Sequence, residues 1–251
     1  MLSLDGTSDK YIRYRHGYPE ELFERLKEYN IGLTGQYILD IGTANGLFAR
    51  DIAKKGCKVT GIDLSTELIE QAKQINRKDQ LPINYLIGNV ENMPFEDASY
   101  EIVTAVFCWH WFNKVKVAEE VHRVLQNNGR LAIINYEWIP FKNDITMYTQ
   151  ELIETFNPTS KRASETLMFP EWADDIYNAG FSQVETFSFD VKVNYCIENW
   201  IGRIQTSPEI GGALRENDIV LFNQKLENFL SKQTDGPFEI PYRVFGVIGK
   251  S

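Results

Sequence analysis

Cysteine is scarce in this chain, and so is basic charge. The 251 residues hold three cysteines, Cys57, Cys108 and Cys196. Their number is odd, they lie far apart, and no pair has a C-x-x-C spacing. That excludes a disulfide framework and a cysteine-based zinc site, and it fits a reducing compartment. Lysine and arginine total 26 against 35 acidic residues, a net charge of -9. Such a field repels DNA and RNA. The densest basic clusters, Lys54-Lys55 and Lys161-Arg162, are too short to line a nucleic-acid groove. No segment approaches the roughly 18 apolar residues that span a bilayer, and the first residues carry no signal-type apolar run. A cytoplasmic protein with neither nucleic-acid nor membrane partners is expected. His, Asp and Glu show no metal-site spacing, so no metal is expected.

What is present is a globular chain, 43% hydrophobic and 24% charged. Its length suffices for one large α/β domain, alone or with a lid. Apolar periodicity gives the order of elements. A helix is predicted over 19–29, with Pro19 at its start. Tyr37 to Ile41 reads as a strand running into glycines and a helix at about 46–55. Lys58 to Ile62 is a second strand, and Ser65 caps the helix after it. Strands at Ile83–Ile87 and Tyr100–Phe107 follow, then a helix near 114–125. Asn128-Gly129 is expected to turn the chain into a fifth strand, Arg130 to Tyr136. Strands alternating with helices imply parallel pairing. Beyond residue 137 the rhythm breaks. Residues 138–170 show no clear strand, 171–180 look helical, and strands near 182–193 and 238–248 frame a mostly helical stretch. A single domain is expected, with core segments 30–137, 171–194 and 236–251. The N-terminal arm is 1–29, and inserts 138–170 and 195–235 form a cap.

Chemistry concentrates in Asp40-Ile41-Gly42-Thr43-Ala44-Asn45-Gly46, between the first strand and its helix. Glycine there lets the backbone turn sharply and lets a ligand approach the main chain. Asp63 ends the second strand, where a carboxylate faces the ribose position of a bound nucleoside. A dinucleotide loop wants glycine at its first, third and sixth positions; here those hold Gly42, Ala44 and Leu47. A nicotinamide oxidoreductase is therefore the weaker alternative. A non-catalytic binding protein is a second alternative.

The same residues resemble the class I S-adenosylmethionine (SAM)-dependent methyltransferases. Asp40, Gly42 and Gly46 match the family loop, with Ala44 in place of its middle glycine. Gly88-Asn89-Val90-Glu91-Asn92-Met93-Pro94-Phe95 resembles the adenine-holding segment, with Asn89 for the usual Asp. Tyr100 to Val106 resembles the fourth strand, with Glu101 for the usual Asp. Trp109-His110-Trp111-Phe112 and the stretch Tyr11 to Pro19 look like the branch that includes type 11, ubiquinone-biosynthesis-type and trans-aconitate-type enzymes. The resemblance covers residues 9–137 well and, beyond them, strand order only. It implies an α/β Rossmann-like three-layer sandwich: a mostly parallel seven-stranded sheet with an antiparallel last strand, and a helical cap. It implies SAM as cofactor, S-adenosylhomocysteine (SAH) as product, and a small-molecule substrate, on a monomer or homodimer. Cofactor contacts are expected at Tyr11, Arg15, Asp40, Gly42, Thr43, Ala44, Gly46, Asp63, Leu64, Asn89, Val90, Glu91, Val106 and Phe107.

His110 is the candidate catalytic residue, because a neutral imidazole accepts a proton near pH 7. His16 and His122 read as surface or packing residues. Trp111 and Phe112 read as core aromatics. Tyr136, Trp138, Phe141, Tyr148, Phe169, Tyr195 and Trp200 are candidates to line an acceptor site, or else to form the core of the cap. Arg203, or Lys161 with Arg162, is a candidate clamp for an acceptor carboxylate.

Overall fold

The computed structural model describes residue 14, residues 17–160 and residues 166–251. Among these the chain runs through α1 (Glu20–Glu28), β1 (Tyr37–Ile41), α2 (Leu47–Ala53), β2 (Lys58–Asp63), α3 (Thr66–Asp79), β3 (Ile83–Ile87) and β4 (Tyr100–Val106). A 3-10 turn at Trp109–Trp111 leads to α4 (Lys114–Val124) and β5 (Leu125–Trp138). Then come α5 (Asp144–Phe156), α6 (Glu171–Asn178), β6 (Ser182–Tyr195), α7 (Ile197–Gln205), α8 (Glu216–Gln233) and β7 (Phe238–Lys250). No described helix is long and apolar enough to cross a membrane.

The strands form one seven-stranded sheet in the order β3-β2-β1-β4-β5-β7-β6. The first five are parallel, with Ile38 beside both Val59 and Ile102, and Val106 beside Ile134. The last strands are antiparallel. The chain starts in the middle of the sheet, at β1, and builds outward on one side before crossing to the other. Reversal between β1 and β4 puts a crevice at the carboxyl ends of these strands, where open α/β sheets bind ligands.

Described residues fall into two compact units. One holds residues 17–136, 168–189 and 244–251; the other holds residues 137–160, 166–167 and 190–243, with residue 14. Strand alternation in the first unit sends neighbouring residues to opposite faces. Leu39, Ile41, Val103, Ala105, Leu131, Ile133, Phe245 and Val247 join Trp109, Val121, Trp172 and Ile176 in one cluster. Ile38, Ile102, Ala132, Ile134, Val244 and Ile248 join Leu22, Leu26, Phe48, Ile52 and Ile69 in the other. Two apolar layers on one sheet make the three-layer sandwich. Helix entries follow the chemistry expected of them: Ser65 Oγ accepts from the Leu68 N–H at 3.3 Å, so Ser65 caps α3.

The second unit has its own core. Trp200 is fully buried, meets Trp138 edge-on at 5.4 Å, and donates its indole N–H to Thr149 Oγ1 at 3.1 Å. Tyr148 stacks on Phe229 and Phe156 meets Phe222 edge-on. An ion pair of 2.6 Å joins Arg203 to Glu137, both largely out of water. The aromatic stretch after residue 138 conceals α5, which begins with a reciprocal capping box between Asn143 and Thr146.

One expected boundary needs correction. β5 does not begin after a turn at Asn128-Gly129 but runs on from Leu125. Tyr100 already pairs with Leu125, so strand pairing exists on both sides of the Asn-Gly step. Asn128, at φ 67°, is absorbed as a register shift inside the strand.

Replacing Asn143 by Ala should cost about 1 kcal/mol of stability, because the Thr146 N–H loses its 2.9 Å cap. Urea unfolding of the two proteins measures this; an unchanged midpoint would show that the cap contributes nothing.

Candidate functional site

At the carboxyl end of the sheet the turn after β1 rests on two carboxylates. Asp40 is 2% exposed. Its Oδ2 accepts from Thr43 Oγ1 at 2.6 Å and its Oδ1 from Thr104 Oγ1 at 2.7 Å. Burial pushes its pKa up to about 6; the two threonine hydroxyls pull down against that, and the nearby Asp63 charge adds a smaller push upward. Both oxygens are thus engaged within the protein, and Asp40 braces the turn from beneath.

Asp63, half-buried at the end of β2, accepts the Ala44 N–H and the Ser65 N–H at 2.9 Å each. A carboxylate offers about four acceptor sites, so about two remain. On either side lie two exposed apolar residues: Leu64, 55% exposed, and Ile87, 47% exposed, the strand partner of Asp63 in β3. A carboxylate with lone pairs to spare between bare aliphatic side chains is fit to hold a hydroxylated sugar next to a flat ring.

Gly42 and Gly46 are needed where they stand. At φ 64°, Gly42 lies so close to β4 that a Cβ would sit 2.9 Å from Cys108 Sγ and 3.1 Å from Phe112 Cζ. Gly46, at φ 75°, begins α2 with the Tyr85 ring packed where a Cβ would go. Ala44, between them, adopts φ 51° despite its side chain. The left-handed backbone a glycine would favour is thus held by an alanine.

Of the other expected residues, Thr43 bonds Asp40 as described. Val106 is buried in the β-sheet layer with Ile102 and Ile134. Asn89 Oδ1 accepts the Glu91 N–H at 2.9 Å, a local turn that occupies one of its lone pairs. Val90 is buried, and Glu91 pairs with Lys116 at 3.2 Å. Phe107 leaves β4 at φ 58°, with its N–H held by the Ile134 carbonyl at 2.7 Å. That left-handed step redirects the chain into the Trp109–Trp111 turn. His110 sits on this turn with an exposed edge, its ring 5.9 Å from that of Phe107 and 4.9 Å from that of Trp111. Crowding by surrounding protein lowers its pKa, and the Lys114 ammonium lowers it further. Tyr11, Arg15, His16, Lys161 and Arg162 lie outside the described residues.

Trp111 is not a core aromatic: it is 54% exposed, while Trp109 fills the core and donates its indole N–H to Asp175. The expected acceptor-lining residues Trp138, Tyr195 and Trp200 are buried in the core of the second unit, and Phe169 is stacked on Trp172 in the first. Phe141 alone among them is well exposed. Sequence reasoning missed Thr104, whose signal was a lone hydroxyl inside the apolar run of β4. It also missed Asn45 and Asn135, two buried amides at the ends of β1 and β5. No cluster of His, Cys, Asp and Glu suited to a metal occurs among the described residues.

Comparison with known proteins supplies a second line. A family model described as a methyltransferase domain matches residues 39–133. An uncharacterised methyltransferase of Schizosaccharomyces pombe is 27% identical over 194 residues, 75% of this chain and 72% of that protein. A ubiquinone biosynthesis O-methyltransferase of Coxiella burnetii is 38% identical over 84 residues, 33% of this chain and 36% of that protein. Among solved structures, phosphoethanolamine N-methyltransferase 2 of Haemonchus contortus, in complex with phosphomonomethylethanolamine and SAH, superposes with a TM-score of 0.59. It covers 98% of this chain and 57% of its own, at 18% identity, which speaks for the fold.

Asp40 makes stability depend on pH. Its folded pKa lies above the unfolded value, so between about pH 4 and pH 6 the folded state holds a proton that the unfolded state has lost. Stability relative to Asp40→Asn should fall by about 3 kcal/mol across that interval and stay level above it. Denaturant melts of both proteins from pH 4 to 8 measure the difference, and a flat difference would overturn the reading of Asp40 as a buried, strained carboxylate.

Proposed function

The chain is a class I SAM-dependent methyltransferase, and from that premise we propose that it methylates a small molecule at the carboxyl edge of the sheet. The residues present fit the cofactor. Asp63 would take the ribose hydroxyls on its remaining lone pairs, and Leu64 and Ile87 would flank the base. Asn89 keeps one lone pair for an exocyclic amine. The Gly42 to Gly46 turn admits the polar end of the ligand close to the main chain, beside the buried and unpartnered Asn45 Oδ1. When bound, SAM supplies a methyl carbon made electrophilic by its sulfonium leaving group.

What remains for this chain is to hold the acceptor in line with that carbon and to manage one proton. His110 has the means for the second task. Its lowered pKa keeps the imidazole neutral at pH 7, and its exposed edge leaves it open to an acceptor hydroxyl. A base is needed only where the acceptor carries a proton at neutral pH. A carboxylate acceptor would need none, but it would need a cation. Arg203, the expected clamp, is held by Glu137 through its Nη2 at 2.6 Å. The placement of Asp63 between two exposed aliphatic residues carries the cofactor side of the reading. Titration with SAH by calorimetry, then transfer of labelled methyl to a panel of phenols, carboxylic acids, amines and thiols, tests the whole. Absence of SAH binding at millimolar concentration would end it.

Asp63→Ala should weaken SAH binding by roughly 1–3 kcal/mol, since charge-assisted bonds are lost. An equal affinity would place the ribose elsewhere. For a hydroxyl acceptor, His110→Gln should lower kcat by about 10²–10⁴ with SAH affinity unchanged. The wild-type rate should rise with pH through a pKa below the ordinary 6.5 of histidine and level off once the imidazole is neutral. A pH profile that is the same in both proteins would remove His110 from the chemistry.

A further inference from the structure

Asn135 is 2% exposed near the end of β5, its Nδ2 has no partner, and no hydrogen bond reaches its side chain among the described residues. Gln71 and Asn76, each with one unpartnered amide oxygen, still bond through their nitrogens, Gln71 to Glu67 and Asn76 to the Leu81 carbonyl; Asn45 and Asn223 each have an unpartnered oxygen, and Asn135 alone of these described amides has an unpartnered nitrogen. A buried amide nitrogen left without an acceptor costs about 1–3 kcal/mol. Its address is also informative. The Ile134 carbonyl holds the Phe107 N–H at the end of β4, so Asn135 lies one residue beyond the last β4–β5 link. Across β4, Cys108 packs on Gly42, and its Sγ donates to the Ile41 carbonyl at 3.2 Å. Three adjacent strand ends therefore present the glycine turn, the Phe107–Cys108 step and Asn135 in order. The turn serves the cofactor, which leaves the β5 side for the acceptor.

From this juxtaposition we propose that Asn135 recognises the methyl acceptor, and that the acceptor is an uncharged molecule with a hydroxyl or carbonyl oxygen on an apolar, ring-like frame; the proposal rests on the methyltransferase reading above. A neutral amide bonds an oxygen but offset no charge. Alternation along β5 sets Asn135 on the face of Leu131 and Ile133, whose cluster includes Trp109, Phe169 and Trp172. A charged group brought to that face would lose its water without gaining a counter-ion, while a ring with one polar atom would be met on both counts.

The test uses the full chain saturated with SAH, labelled with nitrogen-15 at asparagine, and two probes, phenol and benzoate. The Asn135 side-chain amide pair is assigned by its disappearance in Asn135→Leu. Phenol should shift that pair with a saturable curve, and benzoate should bind at least tenfold more weakly. Asn135→Leu should bind SAH like the wild type, bind phenol at least tenfold more weakly, and melt no lower, since an unpaired amide has been removed. Asn135→Ser makes the same comparison if the leucine variant does not fold. An amide pair unmoved by phenol, benzoate binding as tightly as phenol, or a lowered melting temperature in both variants would each overturn the proposal. SAH binding in calorimetry is scored separately, so loss of the cofactor reading and loss of the acceptor reading give different results.

Discussion

A single carboxylate ties together the ends of two parallel strands, and the site depends on it. Asp63 takes one N–H from the turn after β1 and one from the entry to α3. The turn needs this anchor because Ala44 stands at φ 51°. A left-handed L-residue costs about 1–2 kcal/mol. A hydrogen bond to a charged group contributes about 1.5–3 kcal/mol, enough to offset that strain. The chain can carry an alanine at this position because the bond from Asp63 fixes a backbone that glycine would adopt more readily. The same carboxylate has lone pairs left over, so the group that shapes the turn is also the one proposed to meet the ribose.

Beneath it, Asp40 works by a different balance. Two hydroxyls from two elements, Thr43 of the turn and Thr104 of β4, converge on a carboxylate that has left water. Burial outweighs the hydrogen bonds, which is why its pKa rises rather than falls. A buried carboxylate is a poor source of stability. What it supplies is geometry: the turn is referenced to β1 and β4 together, and the Gly42–Cys108 contact closes the gap between those strands. Position is therefore specified by polar groups whose net contribution to folding is small or negative.

Much of this was legible in the sequence where the signal is local. Apolar periodicity ordered the parallel strands, the D-I-G-T-A-N-G run located the turn, and Asp63 was read at the end of the second strand, where it lies. Illegible features depend on partners distant along the chain. Nothing near Asp40 says that Thr104 will meet it, and nothing near Arg203 says that Glu137, 66 residues earlier, will neutralise it. Asn128-Gly129 read as a turn because its residue types favour left-handed backbone; the pairing of Leu125 with Tyr100 decided otherwise. Trp111 read as core because tryptophan buries well, but the left-handed step at Phe107 rotates the following turn and sends Trp109 inward instead.

Several departures from an ideal fold meet at one edge of the sheet. Left-handed backbone at Ala44 and Phe107, and the unpartnered amide atoms Asn45 Oδ1 and Asn135 Nδ2, fall at the carboxyl ends of β1, β4 and β5. At the amino end of β1 polar groups find partners within the chain: the Tyr37 N–H is met by Glu101 at 2.8 Å, and the Gln36 side chain bonds both the Leu33 N–H and the Asn30 carbonyl. Two unsatisfied amides at about 1–3 kcal/mol each are comparable with the roughly 3 kcal/mol that a ligand contributes at a hundred times its dissociation constant. Polar groups left open at one edge of the sheet are therefore matched in size to what ligand binding returns. Folding leaves these buried amide atoms unpaired, and a ligand bound at that edge would be the group to meet them.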